Sequence, residues 1–577
     1  MKIAYEKFAD KAFVKIFRLT PEVISVMGLS NLQEFSGLGG ELNDYSQEGL
    51  LLRQQALAEV YAQHRHYDFD RLTDAEKLSY QVFEFFLQYL PFEPWAGLAG
   101  EDFKYYAYPV CHHDGAPVET FNLLVNFHEV KSIEDADNYI KRLGALPKMF
   151  KDIEQGLRHR HKLKLSPPKS ALKIIISEMT DLIEDGFQKS ELLTTFEQKL
   201  SDADAIPKHK SRKYIEKASG LIERLYNTHL SSFLNCLETL LEGTGDSIGV
   251  SRFDRGAKYY QYCLTRQTTT HFTPCEIFDL GQTEVARLKT ELAGDVSELG
   301  YDGDDLKKSM EKAATAEGQG KADSREEILA YYQKLVSETA TKMRPYFNLY
   351  PKVPCLVKAT PGHLEAGRTT SYYPPSVTGE YPGIFELNLK RERNKPNWSR
   401  NNLAYHEAYP GHHLQITLAQ ELAHLPLFRR SFVNAGYLEG WAKYAERLPY
   451  ETGVDRDARY ELQRKANELI SASNLMLDVG IHTRNWSRQE AIDFSMEQAM
   501  IDRAMAEYLV DRISVTPAQT TAYMLGLITV RQMRDKACQL MGKRFTLAAF
   551  HDAILEEGAL PLNMLVEHMD RVLVNDV

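Results

Sequence analysis

The chain has 577 residues, 43% hydrophobic and 26% charged, an ordinary globular balance that excludes a largely disordered chain, a collagen and a disulfide knot. Lys and Arg total 69 against 80 Asp and Glu, a net charge of −11, which argues against a nucleic-acid or anionic-membrane binder, whose footprint is basic. No run of about 18 apolar residues occurs, so no bilayer span is expected. The six cysteines are scattered with no Cys-x-x-Cys, so neither a Cys-rich zinc site nor a disulfide framework is expected.

The first residues, Met1-Lys2-Ile3-Ala4-Tyr5-Glu6, soon turn polar. The expectation is a chain without a signal peptide, cytoplasmic as written. Gly37-Leu38-Gly39-Gly40 lacks a preceding strand and is no phosphate loop. Cys111-His112-His113-Asp114 has ligand-type residues, but adjacent side chains do not easily share one ion, so it reads as a loop. Arg158-His159-Arg160-His161-Lys162 reads as a solvated helix face. Leu230, Phe233, Leu234, Leu237 and Leu241 recur at helical spacing, and Gly243 stops the run. Thr315–Asp323 reads as a surface loop, and Ser324 with Glu327 opens the next helix as a capping box. Strand character is confined to Cys355–Val357 (before the Pro361-Gly362 turn), Ser371–Tyr373 and Ile384–Leu389, which predict one small antiparallel sheet. The Ile384–Leu389 strand could offer an edge to an extended peptide. Further on, Leu462, Ala466, Leu469, Ile470, Ser473 and Leu477 form another helical stripe. The fold class is mostly α with a minor sheet just before residue 400. The whole is read as one unit over 1–577 with lobes 1–320 and 321–577.

The chemistry concentrates at Tyr405-His406-Glu407-Ala408-Tyr409-Pro410-Gly411-His412-His413. In H-E-x-x-H, two histidines four apart lie on one helix face and bind zinc, and the glutamate is the general base. Here the fifth position is Pro410. On an unbroken helix His412 would lie roughly 120° off the face of His406, and His413 about 10.5 Å along the axis. Bonds of about 2.0–2.1 Å cannot span that. Pro410 and Gly411 are residues that break a helix, so two residues could be extruded as a bulge, bringing His412 to the missing position. A third donor follows in Gly436-Tyr437-Leu438-Glu439-Gly440-Trp441-Ala442-Lys443-Tyr444-Ala445-Glu446, where Glu439 and Glu446 at i and i+7 share a face. Two histidines, a glutamate and an open position describe a catalytic zinc site. The same residues could instead be a capping pair and ordinary hydrogen-bonding groups.

The string H-E-A-Y-P-G-H-H with L-E-G-W-A-K-Y-A-E resembles the bacterial family known as domain of unknown function 885. So do Tyr259-Tyr260 with Thr268-Thr269-Thr270 and Gly281, Ser371-Tyr372-Tyr373-Pro374-Pro375 with Pro382-Gly383, Asp478-Val479-Gly480-Ile481-His482 with Trp486 and Ala491, and Pro517-Ala518-Gln519 with Tyr523, Gly526 and Arg534. Two positions depart from its pattern: Ala518 stands for a glycine, and Ile513 after Arg512 for an aromatic. That family is similar in fold to the carboxypeptidase Taq, thimet oligopeptidase and angiotensin-converting enzyme group. The resemblance implies a two-lobed helical fold around a deep channel, with the small sheet beside the active site.

It also implies Zn2+ held by His406, His412 and Glu439, with Glu407 as base, His413 as the alternative second ligand, and Tyr523 and His482 as oxyanion donors. A zinc peptidase of carboxypeptidase or oligopeptidase type, cleaving short peptides, is the expectation. A metal-free peptide-binding protein and a non-peptide metallohydrolase are the alternatives. Arg534 could hold a substrate carboxylate or pair with a local acid. Tyr372 and Tyr373 could line the channel or pack the sheet, and Glu446 could orient a ligand histidine. A trimmed periplasmic or lipoprotein form is compatible with the resemblance.

Overall fold

The computed structural model describes residues 4–89, 108–113, 115–301, 305–315, 323–360, 365, 370–379, 381–393 and 395–575, most of them helical. Asp114, the Pro361-Gly362 turn and residues 316–322 of the polar loop lie outside the described residues. Contacts divide the chain into two units. One is Met1–Tyr262 with Asn485–Arg488 and Ser514–Thr516; the other is Cys263–Arg484, Gln489–Ile513 and Pro517–Val577.

In the first unit the helix Ile133–Lys162 is opened by a capping box in which Ser132 and Asp135 satisfy each other's backbone N–H groups. The basic run Arg158–Lys162 falls in its last turns, where positive charge complements exposed carbonyls. The stripe read at 230–241 runs from Leu230, at the end of the π-helical turn Leu225–Leu230, along the helix Ser231–Glu242, capped at Gly243. Leu230, Phe233 and Leu237 are fully buried in the core shared by these helices. Burying each contributes about 1.5–3 kcal/mol.

In the second unit the helix Pro274–Glu298 packs along Ala458–Thr483, with Lys465 donating to Asp295 at 2.9 Å. That packing draws residues after 262 into this unit and sets the division well before residue 320. The Ser324–Glu327 capping box is present and opens Arg325–Met343.

Three strands form one sheet: β1 (Cys355–Ala359), β2 (Ser371–Tyr373) and β3 (Gly383–Leu387), in the order β1-β3-β2. The sheet is mixed, correcting the antiparallel expectation. β2 runs antiparallel to β3, but β1 runs parallel to it, from Cys355 opposite Gly383 to Ala359 opposite Leu387. A parallel pair needs a long connection between its strands, and β1 ends 24 residues before β3 begins. β3 is therefore central, with both sides paired, and offers no free edge to an incoming peptide. Its alternate residues Phe385 and Leu387 are buried, and Phe385 meets Tyr332 of the Arg325–Met343 helix edge-on at 5.7 Å.

Among the described residues no helix is long and apolar enough to cross a membrane. All six cysteines are free thiols.

Three buried histidines away from the site make stability depend on pH. Burial depresses His64 to about 4, His128 to about 3 with help from Arg142, and His551 to about 3. The unfolded chain takes up these protons near the ordinary value of ~6.5. The stabilisation is thus fully present above ~6.5 and is lost as pH falls from there toward the depressed values. The urea midpoint should fall between pH ~7 and ~5, where carboxylates stay largely ionised. A flat or rising midpoint would contradict it.

Candidate metal centre

The helix Asn397–Glu407 carries His406 and Glu407 at its C-terminal end, and His412–Glu421 begins with His412 and His413. Between them Ala408 leaves the helical region at φ −105°, ψ −99°, the Tyr409–Pro410 peptide is cis, and Gly411 sits at φ −81°, ψ −131°. Pro410 has no N–H to offer the His406 carbonyl, so the α-helical ladder stops there. It resumes through one longer link: Leu414 N–H donates to the Ala408 carbonyl at 3.4 Å, six residues back instead of four. The two extra residues are thus skipped by the ladder, but as a break between two helices rather than a bulge within one. Two bonds tie the break and the helix after it to the later helix Ala435–Ala445. Trp441 Nε1 donates to the Pro410 carbonyl at 3.0 Å, and Gln415 Nε2 to the Tyr437 carbonyl at 3.1 Å.

That arrangement brings His406, His412 and Glu439 together, with one donor atom of each within 4.8 Å of the others. Glu439 Oε2 lies 3.5 Å from His406 Nε2 and 3.4 Å from His412 Nε2. Glu439 Oε2 is buried yet has no hydrogen-bond partner. Two donors on a tetrahedral ion with bonds of ~2.0–2.1 Å stand ~3.3–3.4 Å apart. The separations fit a shared cation better than a hydrogen bond.

Behind His406, Glu446 Oε1 faces Nδ1 at 2.8 Å. Glu446 is fully enclosed: both its oxygens accept from Lys443 Nζ at 3.0 Å, and Oε2 accepts from Asn402 at 3.0 Å. Asn467 donates in turn to Asn402 at 2.8 Å. Such a carboxylate fixes the tautomer and orientation of a ligand imidazole. Burial works against a charge on His406, but Glu439 and Glu446 overcome it and raise the imidazole to about 10. Burial also opposes charge on Glu446 and Glu439. Lys443 and His406 nevertheless hold Glu446 down to about 2, and the two imidazoles hold Glu439 well below the usual carboxylate range. A cation entering this set displaces a proton from His406. Glu407 is partly accessible, and burial raises its carboxyl despite the neighbouring imidazoles.

Tyr523, on the helix Thr521–Met541, stacks its ring 6.5 Å from that of His406 at 16°. Backbone contact sets that position. A Cβ on Gly440 would lie 2.5 Å from Gly526 Cα, so the Glu439 and Tyr523 helices touch at glycine on both sides.

The other expected residues have different surroundings. His413 is fully buried; its Nε2 donates to the Val353 carbonyl at 3.0 Å, leaving Nδ1 to accept from the Tyr372 hydroxyl at 2.9 Å. Burial depresses it to about 4. Tyr373 is half-buried on β2, paired with Ile384. His482 is fully buried and donates from Nε2 to the Ile513 carbonyl at 2.9 Å. Arg534 pairs with Glu451 at 2.6 Å. Sequence reasoning passed over Lys443 and Asn402. Lys443 stands three residues before Glu446, a helical ion-pair spacing that could have disclosed it.

A mostly helical chain carrying two imidazoles and a carboxylate around one point defines the class. This chain belongs to the family described as bacterial protein of unknown function (DUF885), which matches residues 21–569. No curated protein matches it. Among solved structures, a candidate lipoprotein from Colwellia psychrerythraea is similar at 25% identity, with TM-score 0.94 over 100% of both chains. A candidate lipoprotein of unknown function from Shewanella oneidensis is similar at 18% identity, with TM-score 0.70 over 98% of this chain and 100% of that one. The departure at Ala518 has a structural counterpart. Its φ of +68° is the left-handed region that glycine enters freely, and its N–H donates to both oxygens of Asp478 at 3.0 Å.

Proposed function

We propose that this chain is a zinc-dependent peptidase that hydrolyses short peptides. The observation that carries the reading is the convergence of His406, His412 and Glu439 at separations suited to one tetrahedral ion. Zinc held there supplies Lewis acidity, making a water acidic and polarising a carbonyl. Glu407, beside the ligands, takes the proton of the attacking water and returns it to the leaving amine. The Tyr523 hydroxyl is the donor for the developing oxyanion. It is favoured over His482, whose Nε2 is engaged by the Ile513 carbonyl. Glu446, fixed by Lys443 and Asn402, holds His406 in position. A lipid-anchored form, in keeping with the description of the Colwellia and Shewanella proteins, belongs to the same reading.

The test is metal analysis of purified protein together with digestion of a mixed peptide library with and without a chelator. Near one equivalent of zinc and chelator-sensitive cleavage are expected. Protein that takes up no zinc and cleaves nothing, yet binds the peptides, would be a peptide-binding protein instead. Zinc without peptide products would point to another amide or ester.

A further inference from the structure

A cleft in the second unit is lined from the helices Leu306–Thr315, Asn397–Glu407 and Ala458–Thr483 and holds about 160 Å³. That is room for one small molecule, since an apolar cavity of about 150 Å³ already takes a benzene-sized group. Met310, Leu462 and Met500 supply apolar surface. Trp398 is 8% exposed, and its indole N–H is buried without a partner. A buried donor left unpaired is costly, so an acceptor brought by a ligand is favoured there. Lys307 Nζ donates to the Ile501 carbonyl at 2.9 Å and pairs with no carboxylate among the described residues. Gln463 gives its Nε2 N–H to Asn467 at 2.9 Å, and its Oε1 has no partner among the described residues. Glu311 brings a carboxylate to the same cleft, and Arg459 there is paired with Asp457 at 3.0 Å. The set matches a molecule that carries a carboxylate, an ammonium and an apolar side chain.

Gln463 also begins a chain that ends at the candidate centre. Asn467 Nδ2 donates to Asn402 at 2.8 Å, Asn402 Nδ2 to Glu446 at 3.0 Å, and Glu446 accepts from His406 Nδ1 at 2.8 Å. All three amides point their N–H groups toward Glu446, so each bond polarises the next. An ammonium donating to Gln463 Oε1 strengthens those bonds in turn. Glu446 is then held more firmly by Asn402 and draws less on His406, whose imidazole becomes a poorer ligand. Trp398 and His406 also share one helix, ~12 Å apart along its axis.

We infer that this cleft binds a free apolar amino acid, the product class of peptide hydrolysis, and that its occupancy weakens zinc binding through Gln463, Asn467, Asn402 and Glu446. The carboxylate lies with Lys307 and Trp398, the ammonium with Gln463 and Glu311, and the side chain with Met310, Leu462 and Met500. The effect on zinc rests on the peptidase reading; the binding site does not.

The test titrates L-leucine into the full chain, with and without zinc, by calorimetry. One equivalent should bind. N-acetyl-L-leucinamide, which keeps the apolar body without either charge, should bind at least ~10-fold more weakly. Lys307→Met should weaken leucine binding to a similar degree. Ala466→Phe, which fills the cleft, should abolish it, and both variants should retain zinc. Saturating leucine should raise the zinc Kd ~5-fold or more, and zinc should weaken leucine binding by the same factor. Asn467→Ala should keep leucine binding and lose that coupling. Leucine that does not bind, or that binds Lys307→Met and Ala466→Phe as it binds wild type, overturns the site. Leucine binding with an unchanged zinc Kd overturns the relay. Both results leave the peptidase reading standing. Protein that takes up no zinc overturns that reading and the relay, while the leucine titration still decides the cleft.

Discussion

Glu407→Gln should lower kcat/KM on peptides by ~10²–10⁴-fold while zinc content stays near that of wild type. The substitution keeps the size and shape of the side chain and removes only its ability to take a proton. None of the three converging donors is touched, since these come from His406, His412 and Glu439. His406→Ala is the contrasting variant. It deletes a donor and leaves Glu446, fixed by Lys443, without the imidazole it holds, so metal and activity should fall together. Metal content by mass spectrometry and initial rates on one cleaved peptide separate the two. A Glu407→Gln protein with unchanged rate would remove the base from the mechanism. One that lost its zinc would place Glu407 among the ligands.

The second large effect is expected at the break. Gly411→Ala should cost ~3 kcal/mol or more and abolish stoichiometric zinc binding. A Cβ there would lie 1.9 Å from the His406 carbonyl oxygen and 2.4 Å from that of Tyr405. Both neighbours are backbone, so no rotamer change relieves the clash. The two helices must move apart, and one bears His406 while the other bears His412. Gly294→Ala is the matched control. It lies in the helix Pro274–Glu298, where a Cβ would meet nothing within 4 Å, and should be neutral or gain up to ~1 kcal/mol. Urea midpoints and zinc stoichiometry of the two variants test this. Wild-type values for Gly411→Ala would show that the break is not what sets the donors.

Local rules made parts of this legible. Ser324 with Glu327 marked a helix start because a capping box is closed within four residues. Glu439 and Glu446 were placed together by helical period alone, and both meet His406. Ser371–Tyr373 stood out as a strand, and the bounds of its neighbours were off by one or two residues. What escaped depends on distant chain. The parallel pairing of β1 with β3 joins segments more than 20 residues apart, and side-chain alternation does not encode strand direction. The partner of Tyr372, His413, lies 41 residues on. Nothing in the letters around Lys443 marks it as buried, yet Glu446 draws it into the interior. Arg534 could be assigned to a local acid only once Glu451, 83 residues earlier, was seen beside it.

The link from Leu414 to Ala408 bears on how such chains are sought. A signature that counts letters between two histidines treats an insertion as loss of the motif. Here the insertion is absorbed where the hydrogen-bonded register lapses, and the imidazole rings still stand 4.6 Å apart. Distance counted in ladder steps is the quantity held fixed, and text spacing is free to drift wherever a proline and a glycine supply the gap. Searches that permit a variable stretch at that one point should gather sequences which rigid patterns discard.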